Sequence, residues 1–386
     1  MPTAVIVDAL RTPLGRRNGE LKDVHPVDLV AHVLQSIVER NGVDPALIED
    51  VIMGCVMQVG EQGINVGRNA ALAAGFPETT VGTTIDRQCG SSQQAAHFAA
   101  QGVIAGAYDI VIAAGVESMT RVPMGASVAD GKYGFPFGPM MTGRYPNLVP
   151  QGISAELIAE KWGISREDND RFSVESHRRA ARAREEGRFD KEILPITVSG
   201  ESGEVLVNRD EGIRPDSSME TLAKLKPAFK PDGVVTAANS SQITDGAAAV
   251  LIMSEDKANE LGLKPRARFH TFALAGVDPV LMLTGPIPVT TKVLERAKMT
   301  LDQIDLVEIN EAFAPVVLSW EKEHHPDMSK VNVNGGAIAL GHPLGASGAR
   351  LMATLLNELE RTGGRFGLQT MCEGGGMANA TIIERL

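Results

Sequence analysis

Apolar residues in the first 117 positions alternate between the spacing of strands and the spacing of helices. Residues 5–7 form a short apolar run, residues 27–39 repeat apolar side chains along one helical face, and residues 50–57 are again mainly apolar. A small-residue helix over 68–74, a strand over 83–85, a second helix over 93–105 and a buried strand over 110–114 follow. Strands that alternate with helices are typical of a mainly parallel sheet covered on both faces, so the pattern predicts the α/β class.

The C-terminal third of the chain repeats that order. Residues 301–310 resemble residues 44–53 in their pattern of acidic and apolar side chains. Each segment is followed by a helix, a strand, a Gly/Ser-rich turn, a second helix and a final strand; the elements of the second copy are predicted over 314–322, 331–333, 349–360 and 367–371. We therefore predict two copies of one unit, fused and packed face to face. The alternative is that any α/β chain resembles itself at this level of detail.

The residues between the two copies differ in composition. Gly, Pro and Met are frequent over 123–150, and polar helices are predicted over 154–161 and 166–186. Long insertions that carry their own apolar side chains are more often binding lids or interface loops than linkers. The predicted units are an N-terminal half at 1–117 completed by 241–260, a loop domain at 118–240, and a C-terminal half at 261–386.

Charge and cysteine content exclude several classes of protein. The 386 residues carry 37 basic and 48 acidic side chains, a net charge of -11 that argues against non-specific binding to nucleic acid or to anionic membranes. No uninterrupted apolar run is long enough for a spanning helix. The 3 cysteines and the absence of a basic, apolar leader predict a cytoplasmic protein with free thiols. No zinc-ligand spacing or dinucleotide fingerprint is present, so neither a metal nor a tightly bound cofactor is expected.

The first candidate for chemistry is Cys89, at the junction of a predicted strand and a predicted helix. Free N–H groups and the dipole at the start of a helix favour a thiolate, so we expect the thiol pKa to lie below its usual value of about 8.5. A lone cysteine is more often a small buried apolar residue. Here the neighbouring Gly90, Ser91 and Ser92 leave room for a ligand. Cys89 is therefore a candidate nucleophile.

Three further candidates lie in the C-terminal half. His342 is surrounded by glycines and precedes Pro343, so it is held on an extended turn where it can serve as a base for a thiol. Cys372 precedes three glycines whose backbone amides can approach an oxyanion, and Asn310 follows another strand. Ligands of such sheets gather beyond the carboxyl ends of strands. We expect two thiols, one imidazole and one amide to converge on one pocket.

Taken together, these motifs resemble those of the thiolase family along essentially the whole chain. The matching elements are the turn at Cys89, residues 310–313, residues 341–343, and Cys372 with residues 374–376. The resemblance implies the thiolase fold, in which two fused, similar α/β halves form a five-layered αβαβα core with an inserted loop domain. It also implies a homodimer or a homotetramer.

The resemblance implies a role for each site residue. Cys89 would attack the acyl donor and carry the acyl group as a thioester. His342 would activate that thiol and, with a water held by Asn310, bind the thioester oxygen. Cys372 would act as acid and base, and the backbone amides of Cys89 and Gly374 would bind the oxygen of the acyl-enzyme. For coenzyme A, a substrate here, the resemblance points to Arg214, Thr221, Phe229, Ser241 and Phe313.

The implied activity is cleavage of 3-oxoacyl-CoA by coenzyme A into acetyl-CoA and a shortened acyl-CoA. Residues 87–94 are similar to thiolases of actinobacterial lipid and steroid breakdown, which favours fatty acid β-oxidation or steroid degradation. The alternative is biosynthetic formation of acetoacetyl-CoA. Pro150 and Gln151 occupy the place where short-chain biosynthetic enzymes carry a His-Met pair, which weakens that alternative.

Two rival functions belong to other classes. A decarboxylating ketoacyl synthase built on the same fold would need an imidazole or an asparagine in place of Cys372. A non-catalytic acyl-CoA-binding or lipid-transfer protein would have no need of both thiols and His342.

For four side chains the sequence leaves two interpretations open. Phe229 and Phe313 could be core residues, and Arg214 could form an ion pair within its loop. Glu373 departs from the expected pattern: a carboxylate that points inward would raise the pKa of the neighbouring Cys372, and one that points outward would have no effect.

Overall fold

The computed structural model describes residues 2–200 and 203–386. Its strands are β1 (Ala4–Arg11), β2 (Gly15–Arg16), β3 (Asp50–Gly54), β4 (Val81–Ile85), β5 (Ile110–Ser118), β6 (Ile196–Gly200), β7 (Gly203–Val207), β8 (Thr244–Ser254), β9 (Ala267–Gly276), β10 (Leu306–Ile309), β11 (Phe366–Glu373) and β12 (Met377–Arg385). Its α-helices are α1 (Pro26–Asn41), α2 (Val66–Ala73), α3 (Ser91–Ala105), α4 (Pro139–Arg144), α5 (Gln151–Trp162), α6 (Arg166–Glu185), α7 (Met219–Ala223), α8 (Glu255–Glu260), α9 (Pro286–Ala297), α10 (Ala314–His324), α11 (Ala337–Leu340) and α12 (Ser347–Thr362).

Two sets of strands share one order and one set of directions. In the N-terminal set, β4, β3 and β5 are parallel neighbours, and β8 and then β1 follow in antiparallel pairing. In the C-terminal set, Val331 bridges in parallel to Val307 of β10, β10 pairs in parallel with β11, and β12 and then β9 follow antiparallel. The predicted duplication is confirmed by this match. The two sets touch at one edge, where Val5 and Ile6 of β1 pair with β9.

Helices form three layers around the two sets of strands. Helices α3 and α12 pack between them, in a core shared with Ile252 of β8 and Ile383 of β12. Helices α1 and α2 cover the outer face of the N-terminal set, and α9 and α10 cover the outer face of the C-terminal set. Alanines occupy several faces of α3, so this helix can lie between two sheets without a polar side for solvent. The layers are therefore αβαβα, as the resemblance implies.

One predicted strand, at 331–333, is reduced to a single bridge. Asn332 adopts a positive φ of 46°, which an extended strand does not allow. Its side chain accepts from the Ile309 amide at 2.9 Å and donates to the Ile309 carbonyl at 2.8 Å. The asparagine side chain thus replaces the backbone pairing that a strand would have supplied to the end of β10.

The insertion between β5 and β8 is tied to the N-terminal half by a buried ion pair network. Arg11 of β1 is fully buried, and its guanidinium binds Glu192 and Asp210 of the insertion, each at 2.7 Å. Removing one partner of such a network leaves an uncompensated buried charge, which costs about 3–5 kcal/mol. Strand β8 lies between β1 and β5, inside the N-terminal sheet.

No helix in the described ranges is long and apolar enough to cross a membrane.

Candidate active site

Cys89 lies in a tight turn between β4 and α3. Gln88, just before it, has a positive φ of 49°, a conformation that costs a non-glycine residue about 1–2 kcal/mol. The hydroxyl of Ser91 stabilises the turn: it donates to the Gln88 carbonyl at 2.6 Å and accepts from the Arg87 amide at 2.9 Å. Neighbouring bonds therefore hold the strained residue and fix the direction of the Cys89 side chain.

The Cys89 thiol faces an apolar cluster. Its side chain is buried, and the cluster draws on the ends of β3, β5 and β11 and on the segments that follow them; the members packed with it are Val56, Met57, Met119, Val122, Leu344 and Met371. Flexible methionine side chains adapt to ligands of different shape. This cluster can accommodate an acyl chain.

A second thiol lies beside the first. Cys372, near the end of β11, is fully buried; burial is the largest cause that raises its pKa, and charge on the nearby Cys89 sulfur is the second. The backbone amides of Cys89 and Gly374 face the Cys89 sulfur and favour its thiolate, against the larger effect of burial on the Cys89 pKa. Two thiols and two inward-facing amides therefore share one site.

His342 is held in a single tautomer by Ser347. The Ser347 hydroxyl donates its hydrogen to the Pro343 carbonyl at 2.9 Å, and its oxygen lies 2.5 Å from His342 Nδ1. Because that hydroxyl has only one hydrogen, Nδ1 must carry the proton and donate to Ser347. His342 Nε2 is then left with a lone pair and can accept a proton.

Asn310 completes the polar side of the site. It follows β10, and its amide donates to the Thr370 carbonyl of β11 at 3.0 Å. Its side-chain Nδ2 lies 3.4 Å from His342 Nε2, and its Oδ1 has no partner among the residues that the structure describes. The amide can therefore orient a polar ligand or a water beside the imidazole.

The start of α12, which follows the His342 turn, packs directly on the start of α3, which follows the Cys89 turn. A Cβ at Gly348 would lie 2.1 Å from the Gln93 backbone nitrogen, so only glycine fits there. The Ala349 amide donates to the Ser92 hydroxyl at 2.9 Å. The first turns of α3 and α12 thus hold the two turns that carry the candidate thiol and the candidate base next to each other.

Comparison with known proteins decides the family. The model of the thiolase N-terminal domain matches residues 4–256, and that of the thiolase C-terminal domain matches residues 263–385. The chain belongs to the thiolase family.

Relatives of this thiolase match it over its full length. It is 51% identical to the steroid 3-ketoacyl-CoA thiolase FadA6 of Mycobacterium tuberculosis, over 100% of this chain and 95% of that protein. It is 47% identical to the 3-ketoacyl-CoA thiolase of Aliivibrio fischeri, over 100% of both. The crystal structure of Bacillus anthracis acetyl-CoA acetyltransferase superposes with a TM-score of 0.92 at 43% identity, covering 100% of this chain and 99% of that one. The thiolase is an acyltransferase with the thiolase fold.

The expected low pKa of Cys89 is wrong for the thiolase without substrate. Burial raises the pKa of Cys89 to about 12, with Glu373 as the second cause, and this outweighs the two backbone amides and the Gln151 side chain. Burial, aided by Arg350, lowers the pKa of His342 to about 3. The site without substrate therefore holds a neutral thiol and a neutral imidazole.

Three of the residues predicted to bind coenzyme A lie close together. The Ser241 amide donates to the Ala312 carbonyl at 2.9 Å, and the rings of Phe229 and Phe313 meet edge to face at 5.9 Å. Phe313 is buried, whereas Phe229 is 42% exposed, so the core alternative does not fit Phe229.

The remaining two predicted coenzyme A residues are exposed. Arg214 follows the loop whose Gly212 carbonyl accepts from Gln242 at 3.0 Å, and Thr221 caps the first turn of α7. The Gln242 carbonyl in turn accepts from the His342 amide at 3.3 Å. Arg214 therefore lies on a segment connected to the imidazole, whereas the bonds of the described residues leave Thr221 apart from the other four.

Three residues of the site were missed at the level of sequence. Ser347 has no signal apart from its spacing of five from His342. Gln151, at the start of α5, lowers the Cys89 pKa, and its Nε2 would lie 3.4 Å from a Cβ at Gly374. Glu117 is a buried acid in the apolar strand β5, and a lone acid in such a strand is a signal that could have been used.

Proposed function

We propose that this thiolase cleaves 3-oxoacyl-CoA with coenzyme A to acetyl-CoA and a shortened acyl-CoA, reversibly. The observation that carries the proposal is the pairing of two buried thiols with an imidazole whose free lone pair is fixed by Ser347. A nucleophile, a second acid–base group and a proton acceptor are what a two-step acyl transfer requires.

In the first step, the proton of Cys89 moves to His342 Nε2 as the sulfur attacks the 3-oxo carbon. The bond between C2 and C3 breaks, and the C2 carbanion takes the proton of Cys372, which releases acetyl-CoA. The amides of Cys89 and Gly374 donate to the oxygen of the acyl-enzyme. Protonated His342 and a water on Asn310 stabilise the oxygen of the departing thioester enolate.

In the second step, the Cys372 thiolate accepts the thiol proton of incoming coenzyme A. The coenzyme A sulfur attacks the acyl carbon, the bond to Cys89 breaks, and the proton held by His342 returns to Cys89. Both thiols and the imidazole end the cycle in the states in which they began. Splitting the cleavage into two transfers avoids an unsupported carbanion.

Coenzyme A would enter along the segment from Phe229 to Ser241, with Arg214 and Thr221 at the exposed rim. The backbone contact from Gln242 to His342 joins that segment to the reacting atoms. Phe229 and Phe313 would pack against the pantetheine arm.

The relatives favour the degradative direction and a 3-oxoacyl substrate with a bulky acyl group. The proteins at 51% and 47% identity are named as steroid and general 3-ketoacyl-CoA thiolases. The second candidate is formation of acetoacetyl-CoA, which the similarity to an acetyl-CoA acetyltransferase favours. The polar Gln151 beside Cys89 and the methionine-lined cluster support the first.

The test mixes the protein with coenzyme A and a panel of short, long and steroid-bearing 3-oxoacyl-CoA thioesters and follows the loss of the 3-oxo thioester. We expect turnover in the wild type and in Cys55→Ala, a buried free thiol that faces Glu117 rather than the second thiol. Cys89→Ala should lose at least about 1,000-fold in turnover. No loss of any thioester would refute the proposal, and activity on acetyl-CoA alone would favour the second candidate.

A homodimer through the edge strand β4 is part of the proposal. Val81 is 56% exposed, Ile64 near it is 93% exposed, and β4 pairs on one side only among the strands of the described chain. Apolar edge strands are normally covered. Light scattering should give a dimer or tetramer mass for the wild type and a smaller mass for Val81→Lys; a monomeric wild type would refute it.

We also propose a cytoplasmic location, which cell fractionation tests.

A further inference from the structure

Glu373 points inward, against the turn that carries Cys89. Its side chain is 0% exposed, and a Cβ at Gly90 would lie 2.0 Å from Glu373 Oε1 and 2.7 Å from Asn379 Nδ2. The carboxyl group and the Asn379 amide thus reach the same point above Gly90. The choice left open by the sequence is decided: the carboxyl lies inside the protein, next to both thiols.

No donor in the described part of the chain serves this carboxyl group. Both of its oxygens lack a hydrogen-bond partner among residues 2–200 and 203–386, and the same holds for Asn379 Oδ1. Asn379 Nδ2 is already bound to the Gly90 carbonyl at 3.1 Å, and the Arg87 guanidinium contacts the sulfur of Met377 at 3.8 Å. An ionised carboxylate buried without donors is unstable, whereas a neutral acid brings a hydrogen of its own.

The charged and titratable groups around Glu373 come from two elements. The turn before α3 contributes Arg87, which favours the ionised form, and Asp86, which opposes it. Cys89 lies on the same turn and Cys372 on the strand of Glu373 itself, and charge on Glu373 raises the pKa of each thiol. From β12, the facing groups Met377 and Asn379 are uncharged.

We propose that Glu373 is a positioning residue that works as a neutral carboxylic acid, and that its ionisation withdraws the two thiols from acyl transfer. The link to acyl transfer rests on the proposed function, whereas the effect on the thiols does not. Burial, the largest cause, raises the pKa of Glu373 to about 8. Below that pH the carboxyl is neutral and adds no charge against the Cys89 thiolate, and above it the negative charge of Glu373 opposes the thiolate in addition to burial.

The decisive measurement is the rate of Cys89 alkylation by iodoacetamide between about pH 6 and about pH 10, with the labelled peptide identified by mass spectrometry. In Glu373→Gln the rate should rise about tenfold per pH unit, because only the thiol titrates. In the wild type the same rise should bend toward a plateau near pH 8. The two proteins should react equally at pH 6, and the variant should be about tenfold faster at pH 9.

Two variants serve as controls. Glu373→Asp keeps a titrating acid and should keep a bend. Glu308→Gln removes another buried acid whose pKa burial raises to about 8, but one that faces Arg350 at 4.0 Å instead of the thiols, so its profile should match the wild type. A bend that persists in Glu373→Gln, or is missing from the wild type, would overturn the inference.

A measurement that keeps Glu373 covers the case in which Glu373→Gln does not fold. It uses Glu308→Gln, because Glu308 in the wild type would contribute a carboxyl band that titrates over the same range. Infrared spectra of this variant labelled with ¹³C-glutamate should contain a protonated carboxyl band at neutral pH that is lost between about pH 7 and about pH 9. Lack of that band would contradict a neutral acid.

The assays also separate the two proposals. Alkylation needs no substrate, so a bend without thioester cleavage would refute the proposed function and leave this inference standing. Thioester cleavage together with identical pH profiles of alkylation in wild type and Glu373→Gln would refute this inference and leave the proposed function standing.

Discussion

Two buried acids near the ends of corresponding strands behave differently in the two halves of the thiolase. Glu117, near the end of β5, accepts from the amides of Val56, Met57 and Gly345 and from the Gln62 side chain, at 2.9–3.0 Å. Glu373, at the end of β11, accepts from none of the described residues. The duplicated fold thus places an acid at equivalent positions in the two halves. The hydrogen-bond donors around Glu117 let it hold neighbouring segments together, whereas Glu373 lacks such donors and is proposed to stay neutral beside the thiols.

The two helix starts give a similar contrast. Among the residues that the structure describes, the Ser91 hydroxyl at the start of α3 bonds only to the backbone of the Cys89 turn. Ser347 at the start of α12 bonds to the backbone of the His342 turn and also to the imidazole. Each copy holds its turn with a serine, but only the second copy uses that serine to set a tautomer.

The largest expected effect comes from removing the scaffold acid. Glu117→Ala leaves several buried N–H donors without an acceptor, including one from the His342 turn, and should lower the free energy of unfolding by about 3–5 kcal/mol. Urea denaturation measures it. Glu117→Gln keeps one acceptor oxygen and should lose less. Equal stability of wild type and Glu117→Ala would show that the four bonds do not contribute to stability.

The next largest effect is expected at Glu373, in the way the free energy of unfolding depends on pH. The folded protein holds the proton of Glu373 up to about pH 8, whereas the unfolded chain releases it near its ordinary pKa of 4.5. Wild-type stability should therefore fall relative to Glu373→Gln as the pH rises between these values, by a few kcal/mol in total, and the difference should stay constant above pH 8. Denaturation at a series of pH values measures it; a difference independent of pH would contradict the raised pKa.

A smaller effect is expected at the serine that orients the imidazole. Ser347→Ala removes the acceptor of His342 Nδ1–H and frees the other tautomer, so turnover should fall by about 10–100-fold with little change in KM. Ser347→Thr keeps the hydroxyl and should recover most of the loss. Ser91→Ala in the other copy should mainly lower stability, and an equal loss of turnover there would weaken the contrast between the two turns.

The smallest effect is expected at Gln151. Gln151→Leu removes a group that lowers the Cys89 pKa, so alkylation of Cys89 at fixed pH should slow by about two- to fivefold. Gln151→Asn, which keeps an amide on a shorter stem, is the matched comparison. Faster alkylation in Gln151→Leu would contradict the direction of this contact.

Sequence reasoning correctly predicted several elements of the fold. Regular apolar spacing predicted α1, and continuous runs of small or apolar residues predicted α3 and β5, which are buried along most of their length. It failed at Asn332, because a side chain there takes the place of backbone pairing, and that exchange depends on a distant strand. The unit boundaries and the roles of Cys89, His342 and Cys372 stay predictions for the experiments above.

The direction of the Cys89 pKa shift could not be predicted from the residues next to it in the sequence. The start of a helix argues for a lower pKa, but burial among residues from three other parts of the chain argues for a higher one and dominates. The direction of Glu373 depends in the same way on packing against Gly90 and Asn379, which lie far from it in the chain or on the facing strand.

The close approach of Gly348 to Gln93 brings the helix starts of the two copies together, so the turns that precede these helices lie side by side. Two identical copies would have placed two sulfurs or two imidazoles next to each other there. In the proposed mechanism the paired turns have instead diverged into a nucleophile and its base, which gives a doubled architecture one reaction centre.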